Sequence, residues 1–293
     1  MSSSITTLPA LPPRPADGHK GMFGRVLVVG GNGEMLGAPV MAGTSALRTG
    51  AGLVQIAVPK SLLVAALSIT PELIGLGLGK SGGIRRLLEA AAKADAVVVG
   101  PGLGQSPETA DRLGQLVRLE KPMVVDADGL NVLAARKRWP GFFKAHAVLT
   151  PHPGEMGRLA KLIGRKTVPT DDAGRIDIAT AAATAFDQVV VLKGSRTVVT
   201  DGQRVYVNNT GDSSLSKAGT GDVLTGIIGT FLAQKMSQFD AASAGVWIHG
   251  RAGELAGERL GRRSVLARDV IDSIAPALAE YEAKVTGQGS RPF

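Results

Sequence analysis

Short runs of valine, isoleucine and leucine recur along the chain and alternate with segments of helical periodicity. The first runs lie at 25–29 and 53–58, and others follow at 96–99, 123–125 and 147–149. Because each run is apolar throughout, both faces of each strand should be buried. Helical segments between such strands are typical of a parallel sheet. The pattern therefore predicts an α/β domain with a mostly parallel central sheet and helices on both faces.

The pattern changes after residue 188. Three strand-like runs at 189–192, 197–200 and 205–207 are joined by short linkers, one of which carries Asp201-Gly202. Such linkers predict antiparallel strands at one edge of the sheet. The predicted helices are 38–49, 84–93, 107–119, 219–234, 240–260 and 267–284.

The length of the chain, 293 residues, suffices for one large α/β domain or two small ones, and no repeat or linker divides it. We therefore expect one catalytic domain over 18–285. Residues 1–17 are rich in serine and proline and lack the apolar region of a signal peptide. A flexible N-terminal tail over 1–17 and a flexible C-terminal tail over 286–293 are expected. No stretch approaches the length of a membrane span, so a cytoplasmic protein with no membrane partner is expected.

Composition narrows the possible classes of function. The absence of cysteine excludes disulfides, zinc–thiolate sites and thiol catalysis. Lys and Arg (33) outnumber Asp and Glu (25), and the resulting charge of +8 favours an anionic ligand such as a nucleotide. The basic residues are scattered, and we find neither a nucleic-acid recognition motif nor an aromatic stacking platform. We therefore expect no nucleic-acid partner, and a solvated basic surface explains most of the charge.

The segment KAGTGDVLTG at 217–226 carries the strongest chemical signal. Its glycines precede an apolar run that predicts a buried helix, so backbone N–H groups at the helix start could bind an anion. Asp222 would lie beside that anion, where it could take a proton from a substrate hydroxyl or could simply cap the helix. At a helix start the pKa of Asp222 is not expected to rise, so its carboxylate should be ionised at neutral pH. An anion site next to a base suggests phosphoryl chemistry on a hydroxyl group.

Two glycine-rich or acidic loops follow predicted strands. The loop at 30–38 lacks the spacing of a dinucleotide fingerprint, and no acidic residue ends the next strand. It is as well explained by a tight turn as by a substrate-lining loop. Asp126 and Asp128 could hold Mg²⁺ through water, or could form an Asx turn that caps the following helix. Their spacing alone favours the turn.

Two further loops contain candidate ligand contacts. His152 lies between two prolines that fix its backbone, and Glu155 could cap a helix or belong to a metal shell. An exposed histidine held in this way suits ligand contact, although a lone histidine is more often a surface residue. Residues 193–197 end an apolar strand, and their Lys and Arg could pair with phosphate. In isolation, an ordinary charged hairpin turn explains that segment better.

Taken together, the motifs resemble those of the ribokinase-like superfamily and, more narrowly, the ADP-dependent NAD(P)H-hydrate dehydratases. The resemblance runs from about residue 24 to 280. It rests on VVGG (28–31), LRTGAG (47–52), VGPGLG (99–104), VDADGLN (125–131), LTPHPGE (149–155), VLKG (191–194), AGTGD (218–222) and GVWIHG (245–250). Sugar and vitamin kinases of the superfamily usually have Asn at the position of His152, so the histidine favours the dehydratases. The resemblance implies a three-layer ribokinase-like fold with antiparallel edge strands.

The resemblance also implies a reaction and its site. The expected activity is a lyase reaction that repairs the S form of hydrated NADH or NADPH, with ADP, or ATP as the alternative, as co-substrate and Mg²⁺ on the nucleotide. Asp222 would be the catalytic carboxylate. The substrate would contact Ala38, Gly104, His152 and Asp222. The nucleotide would contact Lys193, Gly194, Ser195, Arg196, Thr197, Gly219, Thr220 and Gly221, with Glu155 near the metal through water.

The sequence departs from the family pattern in places, and it leaves two other functions open. Asn208-Asn209-Thr210-Gly211-Asp212 replaces the usual Asn-Pro-Thr-Gly-Asn, and Lys217 adds a charge beside the anion site. A small-molecule kinase of the same fold is the first rival, and a nucleotide-binding regulatory protein without catalysis is the second. The epimerase domain that often precedes this family's domain is not found here, so a separate epimerase is expected. The apolar C-terminal helices suggest a homo-oligomer.

Overall fold

One mixed sheet forms the centre of the protein. The computed structural model describes residues 3–4, 7–79, 82–136 and 139–287. Within these residues the sheet has ten strands in the order β1-β10-β9-β8-β7-β6-β5-β2-β3-β4. The strands are β1 (Ser3–Ser4), β2 (Arg25–Val29), β3 (Leu53–Pro59), β4 (Ile74–Leu78), β5 (Ala96–Val99), β6 (Pro122–Val125), β7 (His146–Leu149), β8 (Val189–Leu192), β9 (Val198–Thr200) and β10 (Arg204–Val207).

Strand pairing matches the predicted change of pattern. From β4 across to β8 all neighbouring strands are parallel. The β8–β9 and β9–β10 pairs are antiparallel, as the short linkers predict. The two-residue strand β1 then pairs parallel with β10 at the edge.

Helices cover both faces of the sheet. They are α1 (Gly37–Thr49), α2 (Leu63–Ile69), α3 (Gly83–Lys93), α4 (Pro107–Leu116), α5 (Asp128–Ala134), α6 (Pro153–Ala160), α7 (Asp172–Phe186), α8 (Thr220–Ala233), α9 (Gln238–Leu260), α10 (Ala267–Asp272) and α11 (Ile274–Thr286). Side chains alternate between two cores: Val26 and Val28 pack with α1, α8 and α9, whereas Leu27 and Val29 pack with α3 to α7. The predicted three-layer α/β architecture is confirmed.

The helix predicted over 267–284 is two helices, so that prediction is wrong in detail. The break falls at Ser273, between α10 and α11. Pro276 lies three residues later and has no N–H to donate to the carbonyl of Asp272, and its ring would clash with that carbonyl in a continuous helix. The chain therefore restarts its helix at Ile274.

The segment expected to be a flexible N-terminal tail is partly packed. Leu8 and Leu11 lie against the core, and Tyr281 donates a hydrogen bond from its hydroxyl to the Pro9 carbonyl at 2.7 Å. Arg14 donates to the Gly50 carbonyl at 2.8 Å. These contacts hold the segment against α1 and α11. Residues 288–293 of the expected C-terminal tail lie outside the described residues.

Two cavities lie at opposite ends of the strands. One, of about 620 Å³, lies between the N-terminal segment, α1 and α11, and contains none of the predicted site residues. The other, of about 760 Å³, lies beside the loops that follow β5, β6 and β7. In the part of the chain that the structure describes, no helix is long and apolar enough to cross a membrane.

Candidate active site

The strand order reverses between β2 and β5, and this reversal places the candidate site. Strands β2 to β4 lie on one side of β5, and β6 to β8 lie on the other. In open α/β sheets the crevice for a ligand lies at the carboxyl ends of the strands at such a point. The loops after β2, β5, β6, β7 and β8 all carry residues predicted for the site.

Glycines let the loops after β2, β5 and β6 approach one another closely. The Gly31 N–H donates to the Pro101 carbonyl at 3.0 Å. Gly100 has φ +124°, and a Cβ there would collide with the Asp126 carbonyl. A side chain at Gly100 would require the neighbouring loop to move, and Gly31, at φ +79°, has a backbone conformation that other residues rarely adopt. This close packing fixes the loops at the edge of the sheet that carries the polar residues of the site.

The anion turn, residues 218–222, starts α8 as predicted. Gly219 is the N-cap residue with φ +92°, and a Cβ there would lie 2.6 Å from the Met41 Cε atom. No side chain caps this helix start, and the Thr220 N–H makes only a long bond to the Lys217 carbonyl, at 3.4 Å. The Thr220 hydroxyl donates to the carbonyls of Leu215 and Lys217 at 2.8 and 2.9 Å and anchors the turn. The local geometry suits an anion.

His249 supports the same turn from behind. Its Nε2 atom lies 2.8 Å from the Thr220 carbonyl oxygen, and the residue is buried. Since a carbonyl only accepts, Nε2 carries the proton in this contact. Burial lowers the pKa of His249 to about 4, although the bond to Thr220 opposes this. The imidazole is therefore a neutral donor that positions the anion turn.

Lys193 joins two buried carboxylates next to the anion turn. Its Nζ atom lies 2.7 Å from Asp126 Oδ1 and 3.9 Å from Glu155 Oε2. Asp126 is 1% exposed and Glu155 is 4% exposed, so the pairing neutralises charges that water barely reaches. A Cβ on Gly221 would lie 3.4 Å from Lys193 Nζ. The ammonium group of Lys193 thus faces the turn where the anion would bind.

Asp126 has a different role from the one that its spacing favoured. Its side chain does not cap α5, whose N-cap residue is Ala127 with no side-chain bond. Burial would lower the pKa of Lys193, but the charges of Asp126 and Glu155 outweigh it and raise that pKa. The Asx-turn interpretation of Asp126 is therefore wrong, because an ion pair formed across the sheet replaces the local turn.

The ionisation expected for Asp222 is also wrong. The residue is half-buried in the first turn of α8, and burial raises its pKa to about 7. The negative charges of Asp126 and Glu155 raise the pKa further, while Lys193 opposes them. These effects on the pKa are larger than the opposite effect of the helix start, which stabilises the ionised carboxylate. The carboxyl group therefore titrates close to neutral pH, where a general base is most effective.

Because the pKa of Asp222 is raised in the folded protein, ionisation of this group lowers the free energy of unfolding. Between about pH 4 and 7 the unfolded chain loses the Asp222 proton while the folded chain keeps it, so the free energy of unfolding falls as pH rises. We expect Asp222→Asn to raise the free energy of unfolding by about 2 kcal/mol above pH 7, after discounting for partial exposure. The gain should fade towards pH 4. Thermal unfolding at both pH values measures it, and equal melting temperatures at pH 8 would contradict it.

His152 and Glu155 form the start of α6. The Gly154 N–H donates to His152 Nδ1 at 3.0 Å, and Glu155 Oε2 accepts from the His152 backbone N–H at 2.8 Å. Burial lowers the pKa of His152, helped by the charges of Lys193 and Arg158. The imidazole is therefore neutral with its proton on Nε2, and its side chain is 51% exposed. Nε2 lies 3.4 Å from Glu155 Oε1, so a bound ligand would share this donor with that carboxylate.

The turn at 193–197 is shaped by a buried arginine that the sequence analysis did not identify. Arg175, on α7, donates to the carbonyls of Leu192 and Lys193 at 3.2 and 3.3 Å, and to that of Ser195. The Thr197 hydroxyl donates to the Gly194 carbonyl at 2.9 Å. Gly194, Ser195 and Arg196 are exposed, and Arg196 pairs with Asp172 at 2.7 Å. The turn presents its backbone to solvent beside the anion turn.

Ala38, in the first turn of α1, and Gly104, on the loop after β5, lie at the other side of the edge. A Cβ on Gly102 would lie 3.2 Å from the Ala38 Cβ atom, so the two loops touch. The Gly104 N–H donates to Asp128 Oδ2 at 2.8 Å. Gln105 and Asn131 also donate to Asp128 Oδ1, at 3.2 and 3.4 Å. Asp128 thus holds the loop that carries Gly104.

The donor set fits a metal that arrives with a ligand. Among the described residues no group of three or more His, Cys, Asp or Glu side chains could hold a metal ion by itself. Asp126 and Glu155 already share Lys193. Mg²⁺ commonly takes one or two carboxylates, water and nucleotide phosphates, which is compatible with a water-mediated contact to Glu155.

The structure brings Asp222, Gly221, Lys193 and Glu155 together, with His152 next to Glu155. Asp126 is the group in this cluster that sequence analysis misjudged, and its position directly after β6 was the available signal. Arg175 and His249 act from helices behind the site. No local pattern distinguishes Arg175 from other helical arginines, and His249 was visible only within the GVWIHG motif.

Comparisons with known proteins find similarity over most of the chain. The family profile Carb_kinase, described as NAD(P)H-hydrate dehydratase, matches residues 26–276. A bifunctional NAD(P)H-hydrate repair enzyme of Moorella thermoacetica is 41% identical over 285 residues, covering 94% of this chain and 53% of the relative. The corresponding Escherichia coli enzyme is 38% identical and is covered over 49% of its length. The chain spans about half the length of the curated relatives it matches.

Solved structures are similar over nearly the whole chain. The ADP/ATP-dependent NAD(P)H-hydrate dehydratase of Bacillus subtilis, co-crystallised with ATP and Mg²⁺, has a TM-score of 0.79 and 29% identity, covering 93% of this chain and 95% of that one. A ribokinase-like protein of Enterococcus faecalis, at 23% identity and a TM-score of 0.76, supports the fold alone. The ribokinase-like fold is confirmed. With the family profile matching most of the chain and the anion turn, Asp222 and His152 in place, the chain belongs to the NAD(P)H-hydrate dehydratase family.

Proposed function

We propose that this chain catalyses the nucleotide-dependent dehydration of the S form of hydrated NADH and NADPH, consuming ADP and releasing AMP and phosphate. The observation that carries the proposal is the convergence of the anion turn, Asp222 and Lys193 at one end of the sheet. It supplies a phosphate site, a base that titrates near pH 7 and a cation within one cluster. A hydroxyl group placed there would face the outer phosphate of a nucleotide.

The nucleotide would bind across the turn at 193–197 and the anion turn. Gly219, Thr220 and Gly221 would offer backbone N–H groups to the outer phosphate, and Lys193 would place its charge on the same side. Gly194, Ser195, Arg196 and Thr197 would contact the rest of the nucleotide. ADP is the proposed co-substrate and ATP the alternative. Mg²⁺ held through water near Glu155 would neutralise phosphate charge.

The substrate would lie between the loops after β2, β5 and β7. Ala38 and Gly104 would flank the hydrated nicotinamide ring, and His152 would donate from Nε2 to it. Asp222 would accept the proton of the ring hydroxyl. Since the position of a base matters more than its strength, the rigid start of α8 is what makes Asp222 effective.

The chemistry balances without an oxidant. The ring hydroxyl oxygen attacks the outer phosphorus of ADP, its proton passes to Asp222, and AMP leaves. The ring nitrogen then donates its electron pair, the carbon–oxygen bond breaks and phosphate departs. Loss of a proton from the neighbouring ring carbon restores the double bond. Backbone N–H groups at the anion turn stabilise the charge on the phosphoryl group during transfer.

The pKa of Asp222 sets the expected pH dependence. Below its pKa of about 7 the group is protonated and cannot accept the hydroxyl proton, so kcat/KM should fall about tenfold per pH unit on the acid side. Initial rates between pH 5.5 and 8.5 measure this. A kcat/KM that stays flat down to pH 5.5 would exclude Asp222 as the base.

The test of the function is to incubate the purified chain with hydrated NADH and either ADP or ATP. We expect the absorbance of the reduced nicotinamide to return, with one nucleotide cleaved and one phosphate released per ring repaired. A stable phosphate ester without recovery of that absorbance would favour a small-molecule kinase of the same fold. Nucleotide binding without any product would favour a regulatory protein.

The companion activity and the cellular setting remain proposals. The curated relatives are named bifunctional, and the chain spans about half of them. We propose that a separate epimerase converts the R form of the hydrate to the S form that this chain uses. A cytoplasmic location and a homo-oligomer stay predictions.

A further inference from the structure

The cavity of about 760 Å³ is lined by residues that neighbour the predicted substrate contacts along the chain. Its wall includes Gln105, which follows the predicted substrate residue Gly104, and Arg158 and Lys161, which follow His152 and Glu155 along the chain. None of its lining residues comes from the turn at 193–197 or from the anion turn. A substrate whose ring lay against Gly104 and His152 could extend towards this cavity, away from the proposed position of the nucleotide.

Two cations on the wall have no carboxylate partner within the described residues. Arg158 donates from Nε to Asn131 Oδ1 at 2.8 Å and forms no ion pair. Lys161 is exposed, and its ammonium group makes no hydrogen bond or ion pair in the same part of the chain. The nearby carboxylate of Asp128 is already occupied by Gly104, Gln105 and Asn131. The cavity thus presents positive charge that no carboxylate pairs with directly among the described residues, although the charges of Arg158 and Glu155 attract each other.

Hydrogen bonds fix the position of Arg158 on the cavity wall. Asn131 lies on α5 and binds both Asp128 and Arg158. This chain of hydrogen bonds joins the loop after β5 to α6, which also carries Glu155. Arg158 is therefore held at the cavity with its terminal guanidinium nitrogens available for a bidentate acceptor.

We propose that Arg158 and Lys161 bind a phosphate group of the hydrated dinucleotide and that this cavity holds the part of the substrate remote from the reacting ring. The inference rests on the proposed function for its choice of substrate. Both hydrates carry a pyrophosphate, and hydrated NADPH carries a further phosphate on the adenosine ribose. Either group supplies the paired anionic oxygens that an arginine and a lysine side by side recognise.

The test is the variant Lys161→Ala, because Lys161 has no partner in the described structure whose loss would disturb the fold. We expect KM for hydrated NADH or NADPH to rise about tenfold, the loss of one charged hydrogen bond, with kcat and the nucleotide KM unchanged. Arg158→Ala should act in the same direction. Lys166→Ala is the matched control, since Lys166 is exposed nearby but does not line the cavity.

A comparison of the two hydrates shows which of the two phosphate groups Arg158 and Lys161 bind. A rise in KM for both means that the pair binds the pyrophosphate, and a rise for hydrated NADPH alone means that it binds the ribose phosphate. An unchanged KM for both, or a rise only in the nucleotide KM, would overturn the proposal.

A binding measurement keeps this test independent of the proposed reaction. Calorimetry with ADP-ribose and with its 2′-phosphorylated form compares the chain with Lys161→Ala whether or not turnover occurs. About tenfold weaker binding of either compound by the variant supports the proposal. Equal binding by the two proteins, or no binding by the unaltered chain, overturns it. A chain that binds ADP-ribose through Lys161 yet repairs no hydrate would refute the proposed function alone.

Discussion

Asp222→Asn is expected to lower kcat by about 100-fold or more while the protein still binds nucleotide and becomes more stable at pH 8. The amide keeps the shape of the carboxyl group but cannot accept the hydroxyl proton. It also removes a charge that burial and the nearby Asp126 and Glu155 disfavour. Activity and stability should therefore move in opposite directions, which loss of folding could not produce. Steady-state kinetics and nucleotide titration measure the two parts.

Asp240→Asn is the matched control for this variant. Asp240 occupies the same position in the first turn of α9 that Asp222 occupies in α8, three residues after the N-cap. A general effect of an aspartate on a helix start would appear in both variants. We expect the control to keep its kcat. A kcat for Asp222→Asn within about threefold of the unaltered chain would remove Asp222 from the proton transfer.

Lys193→Met should be the most destabilising of the single changes considered, by about 3–5 kcal/mol, and should abolish measurable turnover. Methionine matches the aliphatic part of the lysine side chain but leaves Asp126 and Glu155 buried with no cation between them. An uncompensated buried charge costs far more than an exposed one. Urea unfolding at pH 8 measures the loss. At lower pH the loss should shrink, because burial already raises the pKa of Glu155 and protonation removes its charge.

Lys235→Met is the control for a lost lysine pair. Lys235 pairs with Asp95 at 2.8 Å, as close as the Lys193–Asp126 pair, but its side chain is 71% exposed. Exposed pairs contribute about 0–1 kcal/mol, so this variant should be nearly as stable as the unaltered chain. Equal effects of the two variants would mean that burial of the Lys193 cluster has been misjudged.

A double variant separates the structural role of Lys193 from its chemical role. Combining Lys193→Met with Asp126→Asn removes the cation and its closest anion together. We expect much of the lost stability to return, because the effects of contacting residues are not additive. Turnover should not return, since the phosphate would still lack the ammonium group.

The sequence predicted the parts of the site that are local. The glycines and Asp222 of the anion turn lie in one short segment, and so do His152 and Glu155, so their elements and caps could be inferred. The partner of Lys193 could not, because Asp126 is 67 residues away and meets it only when β6 and β8 lie near each other in the sheet. The pKa of Asp222 was misjudged for the same reason: the carboxylates that raise it come from other strand ends.

The fold shows the same division between local and distant signals. The predicted strand at 25–29 matches β2, since its apolar run is continuous. By contrast, β4 was not predicted, because glycines alternate with its apolar residues and such a segment resembles a loop. This segment forms a strand because it pairs with β3, although its own residues favour the extended conformation only weakly.

The central claim is that the ring hydroxyl of the hydrate attacks the nucleotide phosphate at the anion turn. It is tested most directly with hydrate that carries a heavy oxygen isotope in that hydroxyl. Transfer followed by expulsion of phosphate breaks the carbon–oxygen bond, so the label should appear in the inorganic phosphate. Label found in water, with unlabelled phosphate, would mean that the hydroxyl leaves without ever being phosphorylated, and would contradict the mechanism proposed for Asp222.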